Sequence, residues 1–155
     1  RIMLIYDRRT SEVICEISGD SLVGRDMRKF EMRYADLSDQ DLTDTIWDDM
    51  DLEGIQTSNA IASIIRMRGC NLHEAILSGI QAPGGLFNRS KMCITSFSRG
   101  VAPEADFSEI IIEGMVNFRW LVAPRTKFKN IRDISGANFF EADLENADFE
   151  VVDDK

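Results

Sequence analysis

Residues 35–54 read ADLSD, QDLTD, TIWDD and MDLEG, four successive groups of five with Leu37, Leu42, Trp47 and Leu52 at their centres. Followed outward, the beat runs Leu22, Met27, Met32, Leu37, Leu42, Trp47, Leu52, Thr57, Ala62, Met67, Leu72, Leu77, Ala82, Phe87, Met92, Phe97, Ala102, Phe107, Ile112. Eighteen of these nineteen positions are apolar, where a chain that is 44% hydrophobic would place about eight by chance. The series slips by one residue and continues through Phe118, Ala123 and Phe128, then slips again and ends with Ile134, Phe139, Leu144 and Phe149. Seven of the nine phenylalanines lie on it.

Two further positions keep the same period. Two residues before each centre the chain favours small or aliphatic residues, among them Ala35, Thr45, Ile55, Ala60, Ile65, Cys70, Ala75 and Ile80. Two residues after it stand seven of the ten glycines, Gly24, Gly54, Gly69, Gly79, Gly84, Gly114 and Gly136, as a corner that penalises a Cβ requires. A period of five excludes both regular elements. On a helix successive centres would be rotated by roughly 140°, and on a flat strand they would alternate sides. The chain therefore bends once per pentad and points the centre, with the small residue before it, inward.

The dipeptides Ala82-Pro83, Ala102-Pro103 and Ala123-Pro124 recur 20 and then 21 residues apart, and twenty residues at five per side make a square. Stacking then places Met27, Trp47, Met67, Phe87, Phe107, Phe128 and Phe149 in one internal column. Leu37, Thr57, Leu77, Phe97, Phe118 and Phe139 form the opposite one. The small centres of the Ala-Pro side leave room for the large rings beside them.

Ala35-Asp36-Leu37-Ser38-Asp39, Cys70-Asn71-Leu72-His73-Glu74, Ala105-Asp106-Phe107-Ser108-Glu109, Ala137-Asn138-Phe139, Ala142-Asp143-Leu144 and Ala147-Asp148-Phe149 carry a resemblance to the pentapeptide-repeat family, whose motif is A(D/N)LxX. The resemblance implies an all-β fold, a right-handed quadrilateral β-helix; the handedness comes from the family. Some 26 pentads at four per coil give about 6.5 coils and a rod of about 31 Å. Departures from the pattern are Asp20 and Arg25 at small-residue positions, Thr57 at a centre and Arg132 near the second slip.

The expected division is an N-terminal β-hairpin cap over residues 1–21, a solenoid over 22–150 and a tail over 151–155. Ile2 to Tyr6 and Val13 to Ile17 are β-prone runs separated by a polar span, and the hairpin would cover the first coil. No capping helix is legible after Phe149. The last coil either stays exposed and guarded by charge, or forms a homodimer through the C-terminal coil.

Composition narrows function. The chain has 155 residues, a formal net charge of -9 and 29% charged residues, with a pI near 4.6, which disfavours direct nucleic-acid binding and anionic membranes. Its longest unbroken apolar run, Ile2 to Tyr6, is far short of the roughly 20 residues of a spanning helix, so no membrane segment or export signal is expected. Cys15, Cys70 and Cys93 form no CxxC pair and read as reduced thiols of a cytoplasmic protein. His73 stands without a metal-ligand companion. No phosphate loop, nucleophile elbow or ligand cluster occurs, so no catalytic residue, metal or cofactor is assigned.

The charge is unevenly placed. Tyr34 to Ile65 contains eight acids, Asp36, Asp39, Asp41, Asp44, Asp48, Asp49, Asp51 and Glu53, and no Lys or Arg. Arg119 to Arg132 contains five bases, Arg119, Arg125, Lys127, Lys129 and Arg132, and no acid. At 20 residues per coil these form an acidic ring and, further along, a basic band. A ring of this kind binds a basic protein partner, or else simply keeps a β-surface solvated. The expected function is a non-catalytic, rigid protein-interaction module with an acidic surface. The resemblance supplies an alternative, a DNA-mimicking binder of DNA gyrase or topoisomerase IV, and a bacterial effector or phage protein acting on a host target fits the same surface.

Overall fold

A computed structural model of the chain describes residues 1–152; of the expected tail, 153–155 lie outside the described residues. The fold is all-β, with no helix among the described residues. Its strands are β1 (Ile2–Asp7), β2 (Val13–Ser18), β3 (Ala35–Asp36), β4 (Lys91–Met92), β5 (Thr95–Ser96), β6 (Ile111–Ile112), β7 (Val116–Asn117), β8 (Lys127–Ile131), β9 (Ala137–Asn138) and β10 (Asp148–Val151). Between them the chain advances by single parallel bridges separated by turns.

The backbone hydrogen bonds explain the period. In the pentad centred on Leu37, the Ala35 N–H closes the preceding corner on the Met32 carbonyl, and the Leu37 and Asp39 N–H groups donate to Gln56 and Ser58 one coil on. The Ser38 N–H donates to the Asp36 carboxylate. One coil later the Gln56 N–H donates back to the Ala35 carbonyl. With Gln56 standing for the position before the centre, each of the five positions of the repeat thus has its own N–H partner, as buried or packed backbone requires. The same carboxylate or amide bond recurs at Asp26, Asp41, Asp51, Asn71, Asp106, Asn117, Asn138 and Asp143, which is the physical reason for Asp or Asn before the centre.

Corners carry left-handed backbone two residues after the centre, at Gly54 (φ 69) and Gly79 (φ 70) and also at Asp39 (φ 64), Asp44 (φ 58) and Asp49 (φ 63). Gly, Asp and Asn tolerate that conformation best. Gly54 has a second reason: a Cβ there would clash with the Cδ1–Cε1 edge of the Tyr34 ring.

Four lines of parallel bridges follow. The Trp47 ladder runs Asp26, Ile46, Arg66, Leu86, Asp106, Lys127, Asp148. The Leu37 ladder runs Asp36, Gln56, Ile76, Ser96, Asn117, Asn138. The Ala82 ladder runs Asp41, Ile61, Gln81, Val101, Val122, Asp143. The Leu52 ladder runs Asp51, Asn71, Lys91 and stops at Ile111.

Inside, every centre from Leu22 to Phe107 is fully buried or nearly so, Thr57 included. The rings of Phe87, Phe107, Phe128 and Phe149 stack at 4.8–5.0 Å, and those of Phe97, Phe118 and Phe139 at 5.0–5.6 Å. The two stacks meet edge to face, Phe107 against Phe97 at 5.3 Å and against Phe118 at 5.5 Å, a geometry that satisfies the ring quadrupoles twice over. Burying each ring stabilises by about 1.5–3 kcal/mol before ordering costs.

At the N-terminus β1 and β2 pair antiparallel, and β1 also pairs antiparallel with β3 through Tyr6–Asp36 and Asp7–Ala35. Ile5 and Ile17 enter the core. The Arg9 guanidinium lies 3.4 Å from the Tyr34 ring centroid while the Tyr34 hydroxyl shares its one proton between the carboxylates of Glu53 and Glu74, so one aromatic side chain ties the hairpin to two coils. At the other end, among the described residues, β10 pairs with β8 alone, and Phe149 is 41% exposed.

Candidate functional site

The eight acids expected as a ring divide between structural and free groups. Asp36, Asp41 and Asp51 accept backbone N–H bonds within their own pentads. Asp41 also accepts the Thr43 hydroxyl at 2.6 Å, which holds its carboxyl below the usual range. Asp48 is half-buried and pairs with Arg68 at 2.6 Å. Burial pushes its carboxyl up, but the hydrogen bonds from Arg68 prevail and leave it below the ordinary carboxylate value. Glu53 accepts from Tyr34. Asp39, Asp44 and Asp49 occupy three successive corners, are exposed and make no ion pair among the described residues.

The ladders distribute these acids rather than gather them. Asp36 belongs to the Leu37 ladder, Asp41 to the Ala82 ladder and Asp51 to the Leu52 ladder, while Asp48 follows Trp47 on its own side. They lie at one level and face different ways, so no single concave site forms from them.

The five bases are similarly spread. Arg125 pairs with Glu104 at 3.2 Å and Lys129 with Asp148 at 3.8 Å; Lys127 lies on the Trp47 ladder, and Arg132 follows β8 at the second slip. Arg119 has a different environment, which charge counting did not anticipate. Its guanidinium lies 4.4 Å from the Trp120 ring centroid and 5.3 Å from that of Phe140, and the Arg99 guanidinium lies 4.3 Å from the same Trp120 ring. The cluster is an aromatic and guanidinium stack, worth about 0.5–1 kcal/mol per contact at exposed sites. Its signal in the sequence is the spacing of Arg99, Trp120 and Glu141 at one-coil intervals, which puts Arg99 and Trp120 on neighbouring corners.

Concave surface is shallow. A groove of about 450 Å³ beside the second slip is lined by Arg89, Glu109, Asn130 and Asp133 among others, and one of about 310 Å³ by Ile94, Met115, Asn117 and Arg119 among others. Among the described residues no group of His, Cys, Asp and Glu is placed to hold a metal ion, and no helix is long and apolar enough to cross a membrane. The Cys70 thiol is buried and desolvation pushes it up to about 12, which leaves it inert as a nucleophile.

No family model matches the chain, and no curated protein sequence matches it. Its structural neighbours are pentapeptide-repeat proteins. A trypsin-treated variant of QnrB1, a plasmid-mediated fluoroquinolone resistance protein, superposes with a TM-score of 0.54 at 14% identity over 83% of this chain and 70% of that one. HetL, a pentapeptide repeat protein involved in heterocyst differentiation regulation from the cyanobacterium Nostoc sp. strain PCC 7120, aligns over 83% of this chain and 84% of its own at 14% identity and a TM-score of 0.44. What the chain shares with QnrB1 is the fold.

Proposed function

We propose that the protein is a non-catalytic, rigid protein-interaction module, a right-handed quadrilateral β-helix over residues 22–150 capped by the hairpin of 1–21, working in the cytoplasm. The observation that carries this reading is the filled interior. Side-chain columns occupy it without exposure from Leu22 to Phe107 and again at Phe118, Ala123 and Phe128, so recognition has the outer surface to use, and that surface is pre-ordered by coil-to-coil hydrogen bonds. Asp39, Asp44 and Asp49, outward and unpaired, are the acids free to meet a basic partner. Rim charges of this type accelerate encounter and select register more than they add affinity.

The test is the triple variant Asp39→Asn, Asp44→Asn, Asp49→Asn, in which every substituted residue tolerates the left-handed corner. With the fold unchanged by circular dichroism, the variant is expected to lose capture of a basic protein retained by the wild type at low salt. Equal capture by both removes the acidic surface from the account.

Binding to DNA gyrase is the second reading, favoured by the fold shared with QnrB1. Acids arranged around one level, instead of along the rod, are a poor copy of two phosphate backbones. A supercoiling assay decides: potent, salt-sensitive inhibition abolished by the triple variant establishes the DNA-mimic reading, and its absence leaves the first.

A further inference from the structure

One side of the molecule is unlike the other three. Along the Ala82 ladder the outward residues are Ile61, Ser63 and Ile64, then Gln81, Pro83 and Gly84, then Val101 and Pro103, then Val122 and Pro124. Ile61 and Ile64 are each 51% exposed and Val122 41%. No charged side chain stands on this side between Asp44 and Glu104. The cause lies in the hydrogen-bond scheme. At the two ends of this ladder Asp41 and Asp143 receive the N–H of the residue after the centre; Pro83, Pro103 and Pro124 have no N–H to give, so a carboxylate at Gln81, Val101 or Val122 would gain no such bond. Proline, glycine and β-branched residues lose little rotamer freedom when covered, so this side is flat, apolar and already ordered.

The charges that frame it are complementary. Asp44 sits at one end, exposed and without an ion-pair partner; Arg125, exposed and held only by the exposed carboxylate of Glu104, sits at the other. Counting corners along this side gives Asp44, Ile64, Gly84, Glu104 and Arg125 on consecutive coils, so Gly84 lies midway. A two-fold axis at the level of Gly84, perpendicular to the rod, therefore sets Asp44 of one copy against Arg125 of the other, and does so twice. The same operation sets Ile61 against Val101 and Pro83 against Pro83, and at the edges of the patch Ile64 against Glu104 and Asp41 against Val122. Of the acidic ring and the basic band it brings together the members that stand on this side, Asp44 and Arg125.

We propose that the Ala82 side is a self-association surface, on which a second copy of this chain docks antiparallel with the axis at Gly84. The inference rests on the interaction-module reading and names its partner as the chain itself. Asp44 to Arg125 spans four coil steps of roughly 4.8 Å, so the covered face is smaller than the about 800 Å² per partner of a standard interface. The dimer is accordingly weak, with a Kd on the order of 10–100 μM.

Sedimentation velocity on the full chain from low micromolar to about 1 mM tests this. The wild type is expected to pass from monomer to dimer. Asp44→Arg and Arg125→Asp should each weaken association about tenfold, the double exchange Asp44→Arg with Arg125→Asp should restore most of it, and Ile61→Lys should abolish it, all with unchanged circular dichroism. A wild type that stays monomeric throughout overturns the proposal, and leaves capture of a basic protein as the separate test of the module reading. So does a dimer indifferent to Ile61→Lys but lost in Phe149→Asp, which assigns the contact to the C-terminal coil instead.

Discussion

The coils up to Ile112 and those after it obey the same hydrogen-bond scheme but differ in how they close. In the first region every bridge joins residues 20 apart, as in Asp26–Ile46 and Asp51–Asn71. In the second, the Trp47, Leu37 and Ala82 ladders continue at a spacing of 21, through Asp106–Lys127, Asn117–Asn138 and Val122–Asp143. The Leu52 ladder instead ends at Ile111. Its next centre, Ile134, lies 22 residues beyond Ile112, because both extra residues fall between those two visits to the same side. A coiled chain can thus absorb single-residue insertions at full cost to one ladder and none to the other three. The consequence is local: Ile112 and Ile134 are only partly buried, whereas Phe118, Ala123 and Phe128 remain fully enclosed.

The largest expected effect tests whether the aromatic columns hold the two regions together. Phe107→Asp places an unpaired charge among Phe87, Phe97, Phe118 and Phe128 and should abolish folding, whereas Phe107→Ala should cost about 3–5 kcal/mol by urea denaturation. Exchange of the neighbouring Ser108 for Ala should change stability little. Next comes a pair of glycines. Gly136 lacks a left-handed φ, but a Cβ there would stand 2.0 Å from the Gly114 carbonyl oxygen, so Gly136→Ala should cost about 1–3 kcal/mol through backbone displacement. Gly24 has open space around it and φ 73, and Gly24→Ala should cost about 1 kcal/mol from conformation alone. Equal costs would mean that the irregular corner is no tighter than the regular one.

Smaller effects sharpen the same contrast in the opposite direction. The Thr57 hydroxyl is buried in the regular core without a hydrogen-bond partner. Thr57→Val keeps its shape and should raise stability by about 1 kcal/mol, read as a higher urea midpoint at unchanged slope. Ile94, at a corner with φ 53 and 60% exposed, is a β-branched residue in left-handed backbone. Ile94→Asn should stabilise by a few tenths of a kcal/mol up to about 1.

Much of this was legible in the sequence because one spacing controls both core and backbone. The comb of centres from Leu22 to Phe128 is, apart from Ile112, the buried core, and the assignment of Phe87 and Phe97 to facing columns follows from counting alone. The candidate site was less legible. Residue type does not distinguish Asp36, which serves its own backbone, from Asp44, which is free; the difference lies in position within the pentad and in the left-handed corner. Asp48 was read as a surface charge, yet Arg68 one coil on draws it into a half-buried pair. The guanidinium stack on Trp120 joins residues 21 apart, across a slip, where the period itself shifts. Phe149 sits on the comb but is exposed, since a column buries its last ring only if another coil follows.

Residue-resolved amide hydrogen exchange tests the central claim of stacked pentads with one interrupted ladder most directly. Protection is expected at the coil-to-coil donors Leu77, Phe87, Phe97, Phe107, Phe118 and Ala123, whose N–H groups bond the following coil, with fast exchange across Asp133 and Ile134 on the Leu52 side. Protection at Asp133 and Ile134 equal to that at Phe118, or a protected pattern without the five-residue beat, would contradict it.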